Sequence, residues 1–166
     1  EGIAVLERRI EKLRQAALEL IGQCEELSAH LRHLTAARGI AQASAISVLG
    51  EFCVLGEQLK APQVVRHAGL DVELYQSGSS VNRPGRLSKK GNTYLRAALY
   101  MPAMSAIQHE PRAKAFYAAL VGRGKKKMQA LCAIMRKYLM GLWACYRNGV
   151  SYDAQKLFSD SHAIKS

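Results

Sequence analysis

A hydrophobic repeat in the first 34 residues restricts what this chain can fold into. Apolar side chains recur in alternating steps of three and four residues, at Ile3, Leu6, Ile10, Leu13, Ala17, Leu20, Cys24, Leu27, Leu31 and Leu34. This spacing is typical of the a and d positions of a coiled coil, and no proline interrupts it. It predicts one long coiled-coil helix over 1–35, about 50 Å in length, that joins chains into a dimer or tetramer. The alternative is a long helix packed on its own domain.

The remainder of the chain is predicted to be a compact helical domain over 36–160, followed by a tail at 161–166. Asn92 can cap a helix, because its side chain can accept a hydrogen bond from the first turn. Pro111 suits the first position of the next helix. Gly149 is expected to end the last long helix. The predicted fold class is therefore mainly α.

Two connections between the predicted helices are candidates for function. Arg38-Gly39-Ile40, where Gly39 is expected to end the first helix, is either a helix-hairpin-helix turn that binds a phosphate or a plain connection. Between Gly69 and Asn92, Gly, Ser, Pro and Asn cluster together with Lys and Arg. This composition predicts a long basic loop with at most a short hairpin. Loops of this length within a compact domain are usually functional.

The charge of the chain indicates the kind of partner. The 166 residues include 24 Lys and Arg against 13 Asp and Glu, a net charge of +11. A small domain this basic usually binds nucleic acid, because each neutralised phosphate releases condensed counterions. The alternatives are a merely soluble basic protein and one that meets an anionic membrane surface. No apolar run is long enough to span a bilayer. The expected partner is nucleic acid and not a membrane.

Cysteines and carboxylates indicate no metal site in this chain. Cys24, Cys53, Cys132 and Cys145 form no Cys-x-x-Cys pair and lie in apolar helical patterns. They are predicted to be reduced core residues of a cytoplasmic protein. The carboxylates are sparse and lack the spacing of a two-metal nuclease, so no metal or other cofactor is expected within these residues.

The segment Tyr75-Gln76-Ser77-Gly78-Ser79-Ser80 is the best candidate for chemistry. A serine beside a glycine can expose its hydroxyl, because glycine allows a sharp turn and the close approach of a phosphate. The hydroxyl is a weak nucleophile and needs activation by a base, a cation or a metal. Lys89 and Lys90 are near in sequence and could stabilise charge on phosphorus. Ser-Gly is a common dipeptide, however, and does not by itself identify a catalytic residue.

Several short motifs together resemble a known family. They are Ala68-Gly69-Leu70, Gln76-Ser77-Gly78 and Leu87-Ser88-Lys89-Lys90-Gly91-Asn92, followed by Tyr94-Leu95-Arg96 and Leu99. The C-terminal part adds Tyr117, Leu120, Arg123-Gly124-Lys125, Lys127, Ala130, Ala133, Arg136-Lys137, Gly149 and Tyr152-Asp153. In order and approximate spacing, these residues resemble the transposase domain of the insertion-sequence family numbered one hundred and ten, which includes Piv-type DNA invertases. The resemblance extends from about Leu34 to Asp153.

The resemblance implies a function in DNA recombination. Family members join an N-terminal RuvC-like domain with four acidic Mg²⁺ ligands to a coiled coil and this domain, and many use a bridge RNA to choose DNA. The matching nucleophile is Ser77, which would form a covalent phosphoserine link to DNA. The residues expected to contact nucleic acid are Gly78, Arg83, Arg86, Lys89, Lys90, Asn92, Arg96, Arg123, Lys125 and Lys127. The expected location is the cytoplasm of a prokaryotic cell.

This chain contains no RuvC-like half, and it begins directly within a helix without an initiator Met. It is therefore expected to be a fragment that binds DNA without cutting it, with Mg²⁺ held by the missing domain. Two alternatives to the recombinase stay open. One is a non-catalytic module that binds nucleic acid and oligomerises. The other is a structural oligomerisation protein whose basic charge is incidental.

Overall fold

The computed structural model describes residues 2–77 and 81–158, and for 73–77 and 81–85 it describes the backbone alone. The elements in chain order are α1 (Gly2–Gly22), α2 (Glu25–Thr35), α3 (Gln42–Cys53), α4 (Ala61–His67), β1 (Val72–Ser77), β2 (Val81–Leu87), α5 (Thr93–His109), α6 (Pro111–Gly122), α7 (Lys127–Asn148) and α8 (Ala154–Leu157). The mainly α fold predicted from the sequence is confirmed, with a long N-terminal helix and a compact helical body. None of the described helices is both long and apolar enough to cross a membrane.

The N-terminal heptad segment is two helices, so the prediction of one continuous helix to residue 35 is wrong. The chain leaves the helix after Gly22, and Cys24 has an extended backbone with φ −124° and ψ 116°. Glycine has low helix propensity, and Ser28 stabilises the break by donating its hydroxyl hydrogen to the Ile21 carbonyl at 2.9 Å. The break lets α2 turn onto the helical body, where it packs against α3 and α7.

The two halves of the heptad repeat have different environments. No residue of α1 is buried, and Leu13 and Leu20 are 72% and 65% exposed. In α2, by contrast, Leu34 is fully buried, while Leu27 and Leu31 pack against the core. The part of the repeat that lies in α2 therefore serves the chain's own core. The apolar seam of α1 stays open along the helix.

The core is built around α7, which packs against α4, α5 and α2. Tyr138 and Trp143 are buried on this helix, and the Trp143 ring meets the Phe52 ring edge-on at 5.1 Å between centroids. Both polar tips have partners, since Trp143 Nε1 donates to the Leu59 carbonyl at 2.9 Å and Tyr138 Oη donates to the Arg38 carbonyl at 2.6 Å. Large aromatic side chains of this kind contribute much of the stability of a small core.

Three of the predicted helix boundaries are confirmed, whereas the N-terminal helical segment ends at Thr35, before the predicted Gly39. Asn92 caps α5, because its side-chain oxygen accepts the Leu95 N–H at 2.9 Å. Pro111 begins α6, and Gly149 follows α7 with a left-handed φ of 59°. These signals act within one turn of the chain, so sequence alone can locate them.

The cysteine prediction is correct only in part. All four cysteines are free thiols, as expected. Only Cys145 is buried, whereas Cys53 is exposed and Cys24 and Cys132 are half-buried. Apolar spacing places a residue on a helix face, but neighbouring elements decide whether that face is covered.

An antiparallel β-hairpin occupies most of the segment predicted to be a loop. Its strands pair from Val72 opposite Leu87 to Ser77 opposite Val81. The register shifts between Glu73 and Tyr75, where two residues of β2, Pro84 and Gly85, face one of β1. Proline lacks the N–H that a ladder needs, so it is tolerated at a bulge or an edge strand. The sequence prediction allowed at most a short hairpin here, and the structure has one whose strands cover most of the segment.

Candidate nucleic-acid interface

Ser77 is the last residue of β1, at the end of the hairpin away from the helical body. Its backbone pairs with Val81, while its side chain lies outside the described part of the chain. Gly78, Ser79 and Ser80 also lie outside the described residues, as does the side chain of Arg83. The backbone of the predicted nucleophile thus lies at the far end of the hairpin.

The base of the hairpin is fixed to the body by hydrogen bonds. Ser88 donates its backbone N–H to the Asp71 carbonyl at 3.0 Å and its hydroxyl to the Asp71 carboxylate. Lys89 donates its N–H to the Gly69 carbonyl at 3.1 Å. Beneath these bonds, Leu70 is buried in the core. The hairpin therefore has a defined starting point, because both of its ends are tied to the segment after α4.

Two glycines allow the segment after the hairpin to lie against the end of α4. A Cβ atom on Gly91 would lie 2.2 Å from the His67 carbonyl oxygen, closer than real atoms approach. Gly69 has a φ of +65°, and a Cβ there would meet the Arg96 guanidinium at 2.9 Å. Between them, Lys89 adopts a left-handed φ of 52°, which is uncommon for a residue with a side chain. The Lys89-Lys90-Gly91 turn has little freedom to move.

Asn92 and Arg96, predicted to contact nucleic acid, are placed where they hold this turn. Asn92 is half-buried, caps α5 and donates its amide hydrogen to the Glu51 carboxylate. Arg96 is half-buried and donates from Nη1 to the Ala68 carbonyl at 2.9 Å. Both side chains bond to protein atoms on the inner side of the turn. Asn92 and Arg96 are therefore positioning residues that hold the Lys89-Lys90-Gly91 turn in place.

The remaining predicted cations lie at the surface in two groups. Arg86, Lys89 and Lys90 are exposed at the base of the hairpin. Arg123, Lys125 and Lys127 are exposed where α6 connects to α7. Of these, the Arg123 Nε donates to the Ala119 carbonyl at 3.3 Å, within its own helix. The two groups are more than thirty residues apart in the sequence. Lys89 of the first group and Lys125 of the second nevertheless line the same groove.

This groove, called the α7 groove below, runs between the hairpin base and the first half of α7. It has a volume of about 400 Å³, and its lining residues are Leu70, Val72, Leu87, Lys89, Leu120, Lys125, Met128, Gln129, Cys132, Ala133 and Arg136. Burial raises the pKa of the Cys132 thiol, and the charges of Lys89 and Arg96 oppose that rise only in part. The thiol is therefore neutral at physiological pH, and the groove combines an uncharged floor with basic side chains.

The Arg38-Gly39-Ile40 turn is packed against α5. A Cβ on Gly39 would lie 2.9 Å from the Pro102 carbonyl oxygen, and the φ of Gly39 is +87°. The Ile40 N–H donates to the Ala37 carbonyl at 3.0 Å, and Arg38 Nε lies 3.7 Å from the Glu110 carboxylate. Since these groups already have protein partners, the structure favours the plain helix connection over a phosphate-binding turn.

Among the described side chains, which exclude those of 73–85, no group of three or more His, Cys, Asp and Glu is arranged to hold a metal ion. The carboxylates near the hairpin serve other groups, since Asp71 accepts from Ser88 and Glu51 accepts from Asn92.

Sequence reasoning missed the residues that position the basic turn, namely Glu51, His67 and Asp71. The His67 carbonyl accepts the Asn92 N–H at 2.7 Å, although 25 residues separate the two in the chain. The predicted contact residues also omitted Arg136, although Arg136 is one of the residues that carry the family resemblance. Helical spacing offered a further clue, because Arg136 lies two turns after Met128 and on the same face of α7.

Comparison with known proteins identifies the family. The family model described as the IS116/IS110/IS902 family of transposases matches residues 31–118, which is more than half of the chain. This chain belongs to that transposase family. The match includes the end of α2, all of α3 to α5 with the hairpin, and most of α6, and it ends before α7.

Three curated relatives agree with this assignment. The pilin gene-inverting proteins of Moraxella lacunata and Moraxella bovis are each 33% identical to this chain over 94 residues, which is 56% of the chain and 29% of each relative. An uncharacterized 43.6 kDa protein of insertion element IS110 from Streptomyces coelicolor is 27% identical over 95 residues, which is 57% of the chain and 23% of that relative. The aligned part of the chain thus spans less than a third of the length of these relatives.

Proposed function

We propose that this chain is the part of a DNA transposase that contacts DNA and supplies the nucleophile for strand cleavage and exchange. The observation that carries the proposal is the hairpin, which lies within the family match. Its first strand ends at Ser77, and Arg86, Lys89 and Lys90 are exposed at its base. Exposed cations around a projecting element suit a DNA backbone, because they neutralise phosphates and fix the register of the duplex.

In the proposed reaction the Ser77 hydroxyl attacks a DNA phosphorus atom. An Oγ–P bond forms, one bridging P–O bond of the DNA backbone breaks, and the leaving strand keeps that oxygen. The serine proton passes to a base or to water. The new phosphoserine link conserves the energy of the phosphodiester, so a second DNA hydroxyl can reverse the step and join a different strand. Basic side chains near the hairpin stabilise the negative charge that develops on phosphorus.

Mg²⁺ is proposed to act from a RuvC-like domain outside these 166 residues. The support is that the curated relatives are more than three times as long as the aligned segment. When bound, the metal would stabilise charge on the phosphoryl oxygens. A bridge RNA is proposed as a second polyanionic partner, and the net charge of +11 is large enough for more than one nucleic-acid strand.

The contribution of the hairpin base can be tested through salt dependence. Lys89→Ala and Lys90→Ala should each reduce the slope of log affinity against log salt by about 0.9 for duplex DNA, because one phosphate contact is lost. Lys12→Ala, which removes an exposed cation from α1, is the matched control and should leave the slope unchanged. The measurement is fluorescence anisotropy at several salt concentrations. Unchanged slopes in both hairpin variants would exclude this turn from the DNA contact.

Self-association through α1 is the second part of the proposal. The open seam formed by Ile3, Leu6, Ile10, Leu13 and Leu20 supports it, because each of these side chains is more than half exposed. A second copy of α1 can cover the seam with the same spacing, as in a coiled coil.

Replacing Leu13 and Leu20 with Glu should therefore convert the dimer or tetramer into a monomer, since charges cannot be buried in an apolar seam without a large penalty. Light scattering at increasing protein concentration measures the change. Ala4→Glu with Gln15→Glu adds the same charge to α1 outside the seam and should leave the assembly intact. A wild-type chain that stays monomeric at high concentration would refute self-association.

A further inference from the structure

The α7 groove joins one cation of the hairpin base to two cations that lie outside the hairpin. Lys89, Lys125 and Arg136 line it, and all three are exposed. Within the described part of the chain, none of these three side chains takes part in an ion pair with a carboxylate. No acidic residue lines the groove. Three cations with no acidic partner in the groove favour an anionic ligand with more than one charge.

The floor of the groove has a different chemistry from its rim. Leu70 is buried beneath it, while Val72 and Met128 are 52% and 56% exposed to solvent. Apolar side chains left open beside cations mark an interaction site. The backbone of an intact duplex needs only the cations, because its bases are stacked and paired inside the helix. An unstacked base beside its own phosphates matches both the apolar floor and the basic rim.

Size and polar chemistry agree with a nucleotide. The volume of about 400 Å³ falls in the range of roughly 300–1,000 Å³ that holds small ligands. Gln129 also lines the groove, and its side-chain oxygen already accepts the Lys126 N–H at 3.0 Å. Its amide N–H groups remain as donors for the carbonyl or ring-nitrogen acceptors at the edge of a base.

The position of the groove relates it to the proposed cleavage point. Val72 and Leu87 line the groove and are the paired residues at the hairpin base, whereas Ser77 lies at the far end of β1. Five residues along a strand correspond to about 17 Å, which is about five base steps of duplex DNA. Strand exchange requires the two DNA strands to separate near the cleaved phosphate, so unpaired nucleotides occur within this distance.

We propose that the α7 groove binds an unpaired DNA nucleotide close to the cleaved phosphate, with the base on the apolar floor and the flanking phosphates at Lys89, Lys125 and Arg136. This proposal rests on the proposed function in DNA recombination and adds a preference for separated strands. Met128 and Gln129 are the residues assigned to the base, and the three cations are assigned to the backbone.

The test compares two DNA duplexes of the same sequence, one fully paired and one with a single bulged 2-aminopurine nucleotide. The 166-residue chain should bind the bulged duplex about tenfold more tightly, because base contacts add to the phosphate contacts. Binding should also change the 2-aminopurine fluorescence, as the base moves into the groove. Affinities are measured by anisotropy at fixed salt.

Met128→Ala should remove most of the tenfold preference and leave binding to the paired duplex unchanged. Met101→Ala is the matched control, since Met101 is a methionine exposed to 67% on α5, outside the groove. Arg136→Gln should weaken binding of the bulged duplex, whereas Arg112→Gln, which removes an exposed arginine from α6, should have a smaller effect. Both pairs are matched in charge and side-chain size.

The outcomes separate this inference from the proposed function. Equal affinity for the paired and bulged duplexes would overturn the inference, while salt-dependent binding of both would leave the proposed function standing. Absence of salt-dependent binding to either duplex would overturn both. If the same bulged sequence binds more tightly as RNA than as DNA, the ligand of the groove is RNA and the inference is overturned. If Met128→Ala and Met101→Ala reduce the preference for the bulged duplex equally, the nucleotide does not bind in the α7 groove.

Discussion

Ser77→Ala is expected to abolish the covalent protein–DNA adduct of the full-length transposase proposed above. The substitution removes one oxygen, which is the atom that would bond to phosphorus. DNA affinity should change by less than about twofold, because the phosphate contacts depend on separate cations. The assay uses end-labelled DNA, Mg²⁺ and any guide RNA, and it detects the adduct on a denaturing gel. Mass spectrometry of the digested adduct should place the added nucleotide on the peptide that contains Ser77.

Two neighbouring serines serve as controls for this assignment. Ser79→Ala and Ser80→Ala remove the same atom at nearby positions and should keep the adduct. An adduct that survives Ser77→Ala would show that another group is the nucleophile. Loss of the adduct in Ser79→Ala or Ser80→Ala alone would transfer the role to that serine. If none of the serine positions matters and DNA still binds, the chain is the non-catalytic module that sequence analysis left open.

Gly91→Ala should produce a large loss of stability for a single methyl group. The added Cβ would lie 2.2 Å from the His67 carbonyl oxygen and 2.8 Å from the Gly69 nitrogen. Both are backbone atoms, so no side-chain rotation relieves the overlap. The same carbonyl accepts the Asn92 N–H, and moving the turn away would break that bond. Overpacking of this kind costs about 2–3 kcal/mol.

Thermal unfolding measures this effect. For a chain of this size the melting temperature should fall by about 5–10 °C. DNA binding should weaken as well, because displacing the turn moves Lys89 and Lys90. Gly122→Ala is the control, since a Cβ at that position at the end of α6 meets nothing within 4 Å. A Gly91→Ala protein as stable as Gly122→Ala would show that the turn does not lie against α4.

How well the sequence predicts the structure differs from element to element. Asn92, Pro111 and Gly149 were correctly predicted as helix boundaries, because a cap or a stop depends on neighbouring residues. The heptad repeat was read correctly as helix, yet the break at Cys24 was missed. Leu34 and Leu13 occupy equivalent positions in the repeat, but one is fully buried and the other is 72% exposed. Periodicity defines an apolar face and leaves open which partner covers it.

Some features of the candidate site could likewise be predicted from the sequence, and others could not. The basic composition, the Ser77-Gly78 dipeptide and the motifs that placed the chain in its family could all be read from the sequence. The sequence allowed only a short hairpin in the basic loop, and it did not reveal the roles of Asn92 and Arg96 in holding the turn. These roles depend on Glu51 and on the Ala68 carbonyl, which lie 41 and 28 residues away in the chain.

What the sequence by itself determined is local or additive: helix positions and caps, the net charge of +11, and the motif string around Ser77. The tertiary structure decided which faces are buried, which cations bond to carbonyls or carboxylates, and which cations are exposed. It also placed Lys89 beside Lys125 in the α7 groove. The physical reason is that burial and charge neighbourhoods arise from contacts between distant segments, and those contacts form only when the helices pack.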